Sequence, residues 1–477
     1  MKNVILSCFL AIISNIAFSQ NYTIGPKCDS LIAQHTLSGM YGQMVITPSN
    51  EIVVVGYDSM GGNNSDIILR KYDANLGLIW SKTFLSGGNQ DYALGLISTS
   101  DGGYLIHRAV SMTDANGYYS VGYIIKTDAL GNQQWSQRLN GQSSGDNYSS
   151  TVVENSQGEF ICYGHVQFHG GCAGFGSLQY STRLTKLSSS GNILWSECFD
   201  TNPDWIGGFD KLKTSNEYIG AYDVSSSVVL YKWDDNGMPL NSFTYSHGIY
   251  STTSLCIRAC SSGGFYLGGF IDSAGVRKAL ITKFDSNFNI LWEKTFAQSQ
   301  VCAFFEITET QNGIVYACGT GMTAGDLNGF VVNLYSNGTT ISQKQYGYSN
   351  SYDAFYGIGV LNNNDVVTSG ITSYYVDNDA FLVKFGEISP LPVSLTEFKL
   401  YCSEENVILH WSTASEINND YFLVEKSEDG NEYISVGTIT GHGNSSFLID
   451  YQFIDNAANG KEYYRLKQYD YDGKMTI

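Results

Sequence analysis

Proline is scarce in this 477-residue chain, six in all, and charged side chains make up only 15% of it, against about 25% in an average soluble domain. So few prolines leave strand ladders uninterrupted. Basic residues are the scarcer charge. The 26 Lys and Arg stand against 45 Asp and Glu, a net charge of -19, which repels a phosphate backbone or an anionic membrane and argues against nucleic acid as a partner. Histidine is rare too, at seven, and the chain holds no nucleophile elbow, Walker loop, dinucleotide fingerprint or His-Glu-x-x-His phrase. Those absences weaken an enzyme reading. They do not exclude one, because a site can be assembled from separate loops. What is present is 43% hydrophobic and 14% aromatic residues, with 51 Gly and 34 Tyr, enough to bury a full core and a composition that favours strands and tight turns. The chain reads as all-β.

The first twenty residues run Met1, Lys2, an apolar stretch from Val4 to Ile16 broken by Ser7, Ser14 and Asn15, then Ala17-Phe18-Ser19 before Gln20. A positive start, an apolar core too short for a stable span and small residues at Ala17 and Ser19 describe a signal peptide over residues 1–19. The protein is therefore expected to be exported. Cys8 as a lipid-attachment site would want a small residue where Leu6 stands. No later segment is long and apolar enough to span a bilayer. Of ten cysteines, removal of Cys8 leaves an odd number, so at least one thiol has no partner within the chain. Cys256 and Cys260, on one strand, would have Cα atoms about 13 Å apart, beyond disulfide reach.

One phrase recurs along the chain. Ile68 to Trp80 and Ile124 to Trp135 each read as a strand, a Gly/Asn turn and a second strand, and further copies carry Lys186 with Trp195, Lys232 with Asn241, Lys283 with Trp292 and Asn333 with Ser342. A seventh copy starts at Phe381 to Lys384 and stops. Short apolar strands ending in a small residue form a second column: Ile52 to Gly56, Tyr104 to Arg108, Phe160 to Gly164, Tyr218 to Ala221, Phe265 to Gly269, Val315 to Gly319 and Val366 to Gly370. Units of about fifty residues match four-stranded propeller blades, and the spacing predicts a seven-bladed β-propeller over residues 20–386. The seventh unit lacks its outer strand, and Lys27 to Leu37 resembles the missing piece, so the N-terminal strand is expected to complete the last blade and cover its open edge. A linear solenoid of hairpins would need no such split unit.

Residues 387–394, with two prolines, form a linker. Six short alternating strands with one buried-type tryptophan, Trp411, follow over 395–477, the pattern of an immunoglobulin-sized β-sandwich. Leu391 to Phe398, Leu409 to Glu416, Asn418 to Phe422, Glu425 to Gly430 and Tyr463 to Gly473 resemble the fibronectin-type-III-like module that precedes the sorting domain of type IX secreted bacterial proteins. The resemblance implies passage through the type IX secretion machinery, then release or attachment to the outer face of the outer membrane. The pattern stops at Met475-Thr-Ile477, so either the sequence is a fragment or the resemblance is incomplete, and surface attachment is an analogy. The propeller part is similar to repeats of the same kind of protein and, more weakly, to quinoprotein repeats, in which an Asp-x-x-x-Gly-x-x-x-Trp phrase docks neighbouring blades. Trp80, Trp135, Trp195 and Trp292 keep that anchor and are read as blade packing.

Stepping back seventeen positions from the small residue of the second column gives Gly39, Asp91, Asn147, Asp204, Thr252, Cys302 and Asp353. Asp91, Asn147, Asp204, Thr252 and Asp353 are thereby expected in a ring at one mouth of the central channel. Their oxygens would suit a polar ligand or a calcium ion; the competing reading has Asp and Asn capping turns between blades. Tyr118, Tyr119, Phe175, Tyr374 and Tyr375 are expected in loops on the same face, where they would stack on sugars or peptides or be incidental. Cys162, His165, His169 and Cys172 have a zinc-like spacing, but Cys162 falls in the core column of Val54, Ile106, Ile219 and Leu267, so no metal site is assigned. The expected function is exported, noncatalytic binding or adhesion through a propeller face that takes a polysaccharide or protein. The alternative is a secreted propeller enzyme, a glycan lyase or hydrolase or a quinoprotein-like oxidoreductase.

Overall fold

The computed structural model describes residues 39–59, 65–85, 90–114, 117–139, 147–167, 180–199, 201, 203–248, 250–273, 275–296, 302–311, 313–323, 326–347, 352–372, 379–385, 393–402, 406–445, 448–456, 462–470 and 475–476. They fall into two compact units, one within Ile24–Ile388 and one within Ser389–Ile477. All regular elements among them are strands, and no helix there is long and apolar enough to cross a membrane.

The first unit is a succession of seven antiparallel sheets, with the second and third joined by a parallel bridge between Val121 and Asn147. Their inner strands are Gly39–Ile46, Asp91–Ser98, Asn147–Glu154, Trp205–Lys211, Ser251–Ala259, Cys302–Glu309 and Asp353–Val360. Each inner strand touches the next, and Asp353–Val360 touches Gly39–Ile46, so the ring closes. This is the seven-bladed propeller that the repeat predicts. The seventh sheet has three described strands, ending with Asp379–Phe385. The expected fourth, Lys27 to Leu37, lies outside the described residues.

The second strands are mostly apolar because both faces of a radial sheet meet neighbouring blades; Ile52, Val53, Val54 and Val55 are all fully buried. The small residue that ends this column has a steric cause. A Cβ on Gly319 would sit 1.8 Å from the carbonyl oxygen of Ala303 on the paired inner strand.

The seams explain the recurrent phrase. Each anchor tryptophan lies against the turn of the next blade, at a glycine with positive φ: Trp80 on Gly131, Trp135 on Gly191, Trp195 on Gly237 and Trp292 on Gly338. Trp135 and Trp292 also donate Nε1–H to Ser189 and Ser336 carbonyls at 3.2 and 2.9 Å. Blade four has Asn241 instead of tryptophan, and the next turn carries Phe288 at φ 69°, buried and stacked on Phe243 at 6.2 Å. No outer-strand tryptophan is described for blade seven, and the first turn carries Leu76 at φ 68°, buried among Leu361, Ala380 and Leu382. Among the described turns, glycine thus stands where a tryptophan packs on it, and a bulky side chain, Phe288 or Leu76, where no described tryptophan does. The repeated lysine spans the same seams. Lys186, Lys232 and Lys283 reach Asp235, Ser286 and Ser336 carbonyls of the following blade at 3.2, 3.3 and 3.2 Å.

Cys162, Cys256, Cys260, Cys302 and Cys318 are buried thiols outside any disulfide, so Cys256 and Cys260 do not bridge; Cys198 is in a disulfide.

The second unit is one six-stranded sheet system built about a long strand, Val407–Ser427. Its first half, Val407 to Thr413, pairs with Val393–Cys402 and Ile449–Asp455, and its second half with Ile434–Ser445 and Tyr463–Asp470. Val407, Leu409 and Trp411 from one half and Phe422 and Val424 from the other share one core. At the changeover the buried Glu416 accepts from Thr413 Oγ1, Asn419 Nδ2 and the His442 N–H, each at 2.8 Å, and from the Tyr451 hydroxyl.

Candidate functional site

Every inner strand carries a β-bulge at the same level, between Tyr41 and Met44, Ala93 and Gly95, Ile206 and Phe209, Ser254 and Cys256, Phe304 and Glu306, Phe355 and Gly357, and opposite Tyr163 and Gly164 in blade three. A bulge re-aims the side chain of its extra residue. Here it leaves Leu94 half-buried, and Leu255, Phe305 and Tyr356 half-buried between buried neighbours.

The expected oxygen ring occupies the starts of these strands, but its described members are not open together to the mouth. Asp91 is fully buried, its Oδ2 taking Arg108 Nη1 at 2.8 Å and its backbone clasped by Ser65 Oγ of the preceding blade. Burial pushes its carboxyl up to about 6 even with Arg108 alongside. Asp353 is also fully buried. Thr252 is buried and bonded to His247 Nδ1 at 2.9 Å. Asp204 is exposed and accepts from the Ser225 N–H in the turn between the second and third strands of its own blade, not in a turn between blades. Asn147 begins its strand, but its side chain is not among those described. The physical reason is that both faces of a radial sheet meet neighbouring blades, so Asp91, Thr252 and Asp353 enter the seams and are buried there. Among the described residues no three His, Cys, Asp or Glu side chains come together to hold a metal ion.

Tyr118 and Tyr119 lie within the strand Gly117–Thr127 and not in a loop, because the hairpin runs on to Asp114 and Gly117. Phe175, Tyr374 and Tyr375 lie outside the described residues, as do His169 and Cys172. Cys162 is core, packed with Leu105, Phe160 and Leu187, and burial pushes its thiol well up.

Two other features occupy the channel. At the strand-start end, Tyr57 and Tyr92 meet edge to face at 5.7 Å, and Phe305 and Tyr356 lie 5.0 Å apart. Tyr356 is hydrogen-bonded to Tyr352 and close enough to Tyr57 for one phenolate to disfavour the other; burial is the larger cause that raises its pKa. The five rings form an arc across blades six, seven, one and two. Trp205 of blade four, at the same strand position as Tyr92, is 58% exposed.

Toward the opposite end all seven inner strands line a cavity of about 770 Å³. Its polar groups are not those expected from the sequence. Gln43 accepts from the Leu96 N–H at 3.3 Å and donates to Glu306 Oε2 at 3.1 Å, and Arg258 Nη2 meets the same oxygen at 2.5 Å. Asp210, bonded to the Ala259 N–H at 2.8 Å, flanks Arg258 on the other side. Burial raises the carboxyls of Asp210 and Glu306 above their ordinary range, with Arg258 pulling each back. Lys213 stands exposed at the rim. The seven-copy alignment could have found this cluster, since Asp210 and Arg258 share one column with Val45, Ile97, Val153, Thr308 and Gly359 and are its two charged members.

No family model matches the chain, and no curated protein matches it. Among solved structures it resembles the Dos1 propeller at 12% identity, over 73% of this chain and 79% of that one, with a TM-score of 0.42. A Pseudomonas aeruginosa periplasmic gluconolactonase matches at 11% identity over 64% and 84%, TM-score 0.44. A Pyrococcus horikoshii acylaminoacyl peptidase matches at 10% over 80% and 58%, TM-score 0.40. Likeness this loose carries nothing about activity.

Proposed function

We propose that the protein is an exported, noncatalytic binding propeller whose central channel takes a segment of polysaccharide or of a protein, followed by a fibronectin-type-III-like spacer to a type IX sorting tail. The observation that carries the reading is the cavity of about 770 Å³ that all seven blades line, within the size of ordinary ligand sites, with convergent polar groups such as Gln43, Asp210, Arg258 and Glu306 in a wall of mixed polar and apolar side chains. Export rests on the N-terminal pattern of residues 1–19, and the spacer and secretion route on the resemblance of 391–477. The test is a binding screen against extracellular polysaccharides and peptides, with and without calcium, using the full chain, Lys213→Glu and Thr308→Trp. Saturable binding weakened at least tenfold in both variants supports the reading. No saturable binding of any polysaccharide or peptide, or turnover of a bound substrate, overturns it.

A second reading has its own observation. Asp210 and Glu306 are two carboxyls held above their ordinary range on either side of one guanidinium, a pattern that marks acid and base candidates in a cleft. A propeller hydrolase or lyase would use them, and turnover lost in Glu306→Gln would establish it.

A further inference from the structure

We infer that the strand-start mouth of the channel is a stacking platform for a neutral polysaccharide, formed by Tyr57, Tyr92, Phe305, Tyr352 and Tyr356 with Trp205 across the opening. The inference rests on the reading of the channel as the binding region and names the ligand class, at the end of the channel away from the Arg258 cavity.

The rings come from four successive blades and are brought together by position. Tyr356 and Phe305 are the extra residues of their bulges, turned out of the sheet, and Tyr92 is the second residue of its strand. They are partly open in a fold that fully buries Tyr72, Tyr104, Tyr163, Tyr218 and Tyr266. Core packing therefore does not use their faces completely. An amphipathic ring presents an apolar face and a polar tip, and the apolar face of a pyranose with its hydroxyl rim is the matching shape. The polar tips are present: Tyr92 donates its hydroxyl to Gln90 Oε1 at 2.9 Å, and Tyr352 and Tyr356 are hydrogen-bonded to each other.

The charge selects among sugars. A net charge of -19 opposes uronates and sulfated glycans, and the Arg108 guanidinium of blade two is committed to Asp91 and lies over Tyr123 at 5.1 Å. A row of rings crossing several blades is longer than one sugar, so the ligand is a chain and not a monosaccharide. A protein partner would need a broad surface of ordinary interface size, whereas this arc is narrow and lies around an opening.

The test is titration of the full chain with cellohexaose, laminarihexaose, maltohexaose and chitohexaose, read by tyrosine and tryptophan fluorescence and by calorimetry. At least one hexasaccharide is expected to bind saturably. Tyr57→Ala and Trp205→Ala each weaken it about five- to thirtyfold, and Tyr356→Phe stays within about threefold, because a stacking face is lost in the first two and kept in the third. Trp205 is exposed, so its variant keeps the test valid if a tyrosine variant unfolds. No saturable binding up to about 10 mM, or binding unchanged in both alanine variants, overturns the platform. If binding is instead lost in Lys213→Glu and Thr308→Trp, or a peptide binds and no hexasaccharide does, the platform fails while the channel reading stands.

Discussion

Lys384 of the seventh blade donates its ammonium to the Ala74 carbonyl of the first at 3.1 Å, while pairing with Asp365 of its own blade at 3.1 Å. It is the same seam contact that Lys186, Lys232 and Lys283 make between consecutive blades, here joining residues 310 positions apart in sequence. Lys384→Met is expected to destabilise the propeller by about 1–2 kcal/mol, since a partly buried charge-assisted bond is lost. Denaturant unfolding checks this; an unchanged midpoint would mean that the contact adds nothing to closure.

The seam rule predicts a coupling. Gly191→Ala places a Cβ 2.7 Å from the Trp135 ring at a φ of 86° and is expected to cost about 2–4 kcal/mol. Phe288→Gly empties the blade-five turn at about 3–5 kcal/mol. Combined with Asn241→Trp it should recover at least about 1 kcal/mol beyond the sum of the single changes, because the introduced indole fills the space. Strict additivity in thermal or denaturant unfolding would reject the rule.

Asp223 gives the propeller a pH dependence. It is buried, and burial pushes its carboxyl from 3.8 to about 7 although Ser254 donates both N–H and hydroxyl to it. Between about pH 4 and 7 the folded chain keeps a proton that the unfolded chain has released, so this group's contribution is full below that window and is lost as pH rises through it. Asp223→Asn should flatten the fall in stability across the window by about 2–4 kcal/mol. Parallel wild-type and variant curves would contradict the assignment.

Glu416 has the opposite sign. Burial alone would raise its carboxyl, but donors from Tyr451, His442, Asn419 and Thr413 outweigh it and hold the pKa below the ordinary value. Its contribution is present above the unfolded pKa and lost as pH falls through the folded one. Glu416→Gln is expected to cost the C-terminal unit about 2–4 kcal/mol. Limited proteolysis should then cut within 393–477 first and leave the propeller core intact; equal susceptibility of both units would refute this local role.

The number of blades was legible because tryptophan, turn glycine and lysine recur with their seam contacts, and glycine recurs where the inner-strand carbonyls of Thr253, Ala303 and Ala354 crowd Gly269, Gly319 and Gly370. Trp80 and Gly131 could be found from spacing alone. The channel was less legible. Alignment reached the starts of the inner strands at Asp91 and Asp353, yet a shift of one residue changes which face a side chain occupies, and the bulge that turns out Phe305 and Tyr356 depends on pairing with a second strand. Gln43 and Glu306 meet from blades one and six, 263 positions apart, and no local pattern announces such a contact.

Seven sheets close into a ring about a channel. Spin labels on Ser49→Cys and Asn363→Cys test it most directly, because both lie in exposed turns of the first and seventh blades, beside the bond from the Asn362 N–H to Asn50 Oδ1 at 2.7 Å. Closure predicts a single short distance, within about 25 Å including the label arms. Seven sheets stacked in a row at about 10 Å each would place the labels about 60 Å apart, and that result would contradict the ring and the binding channel together.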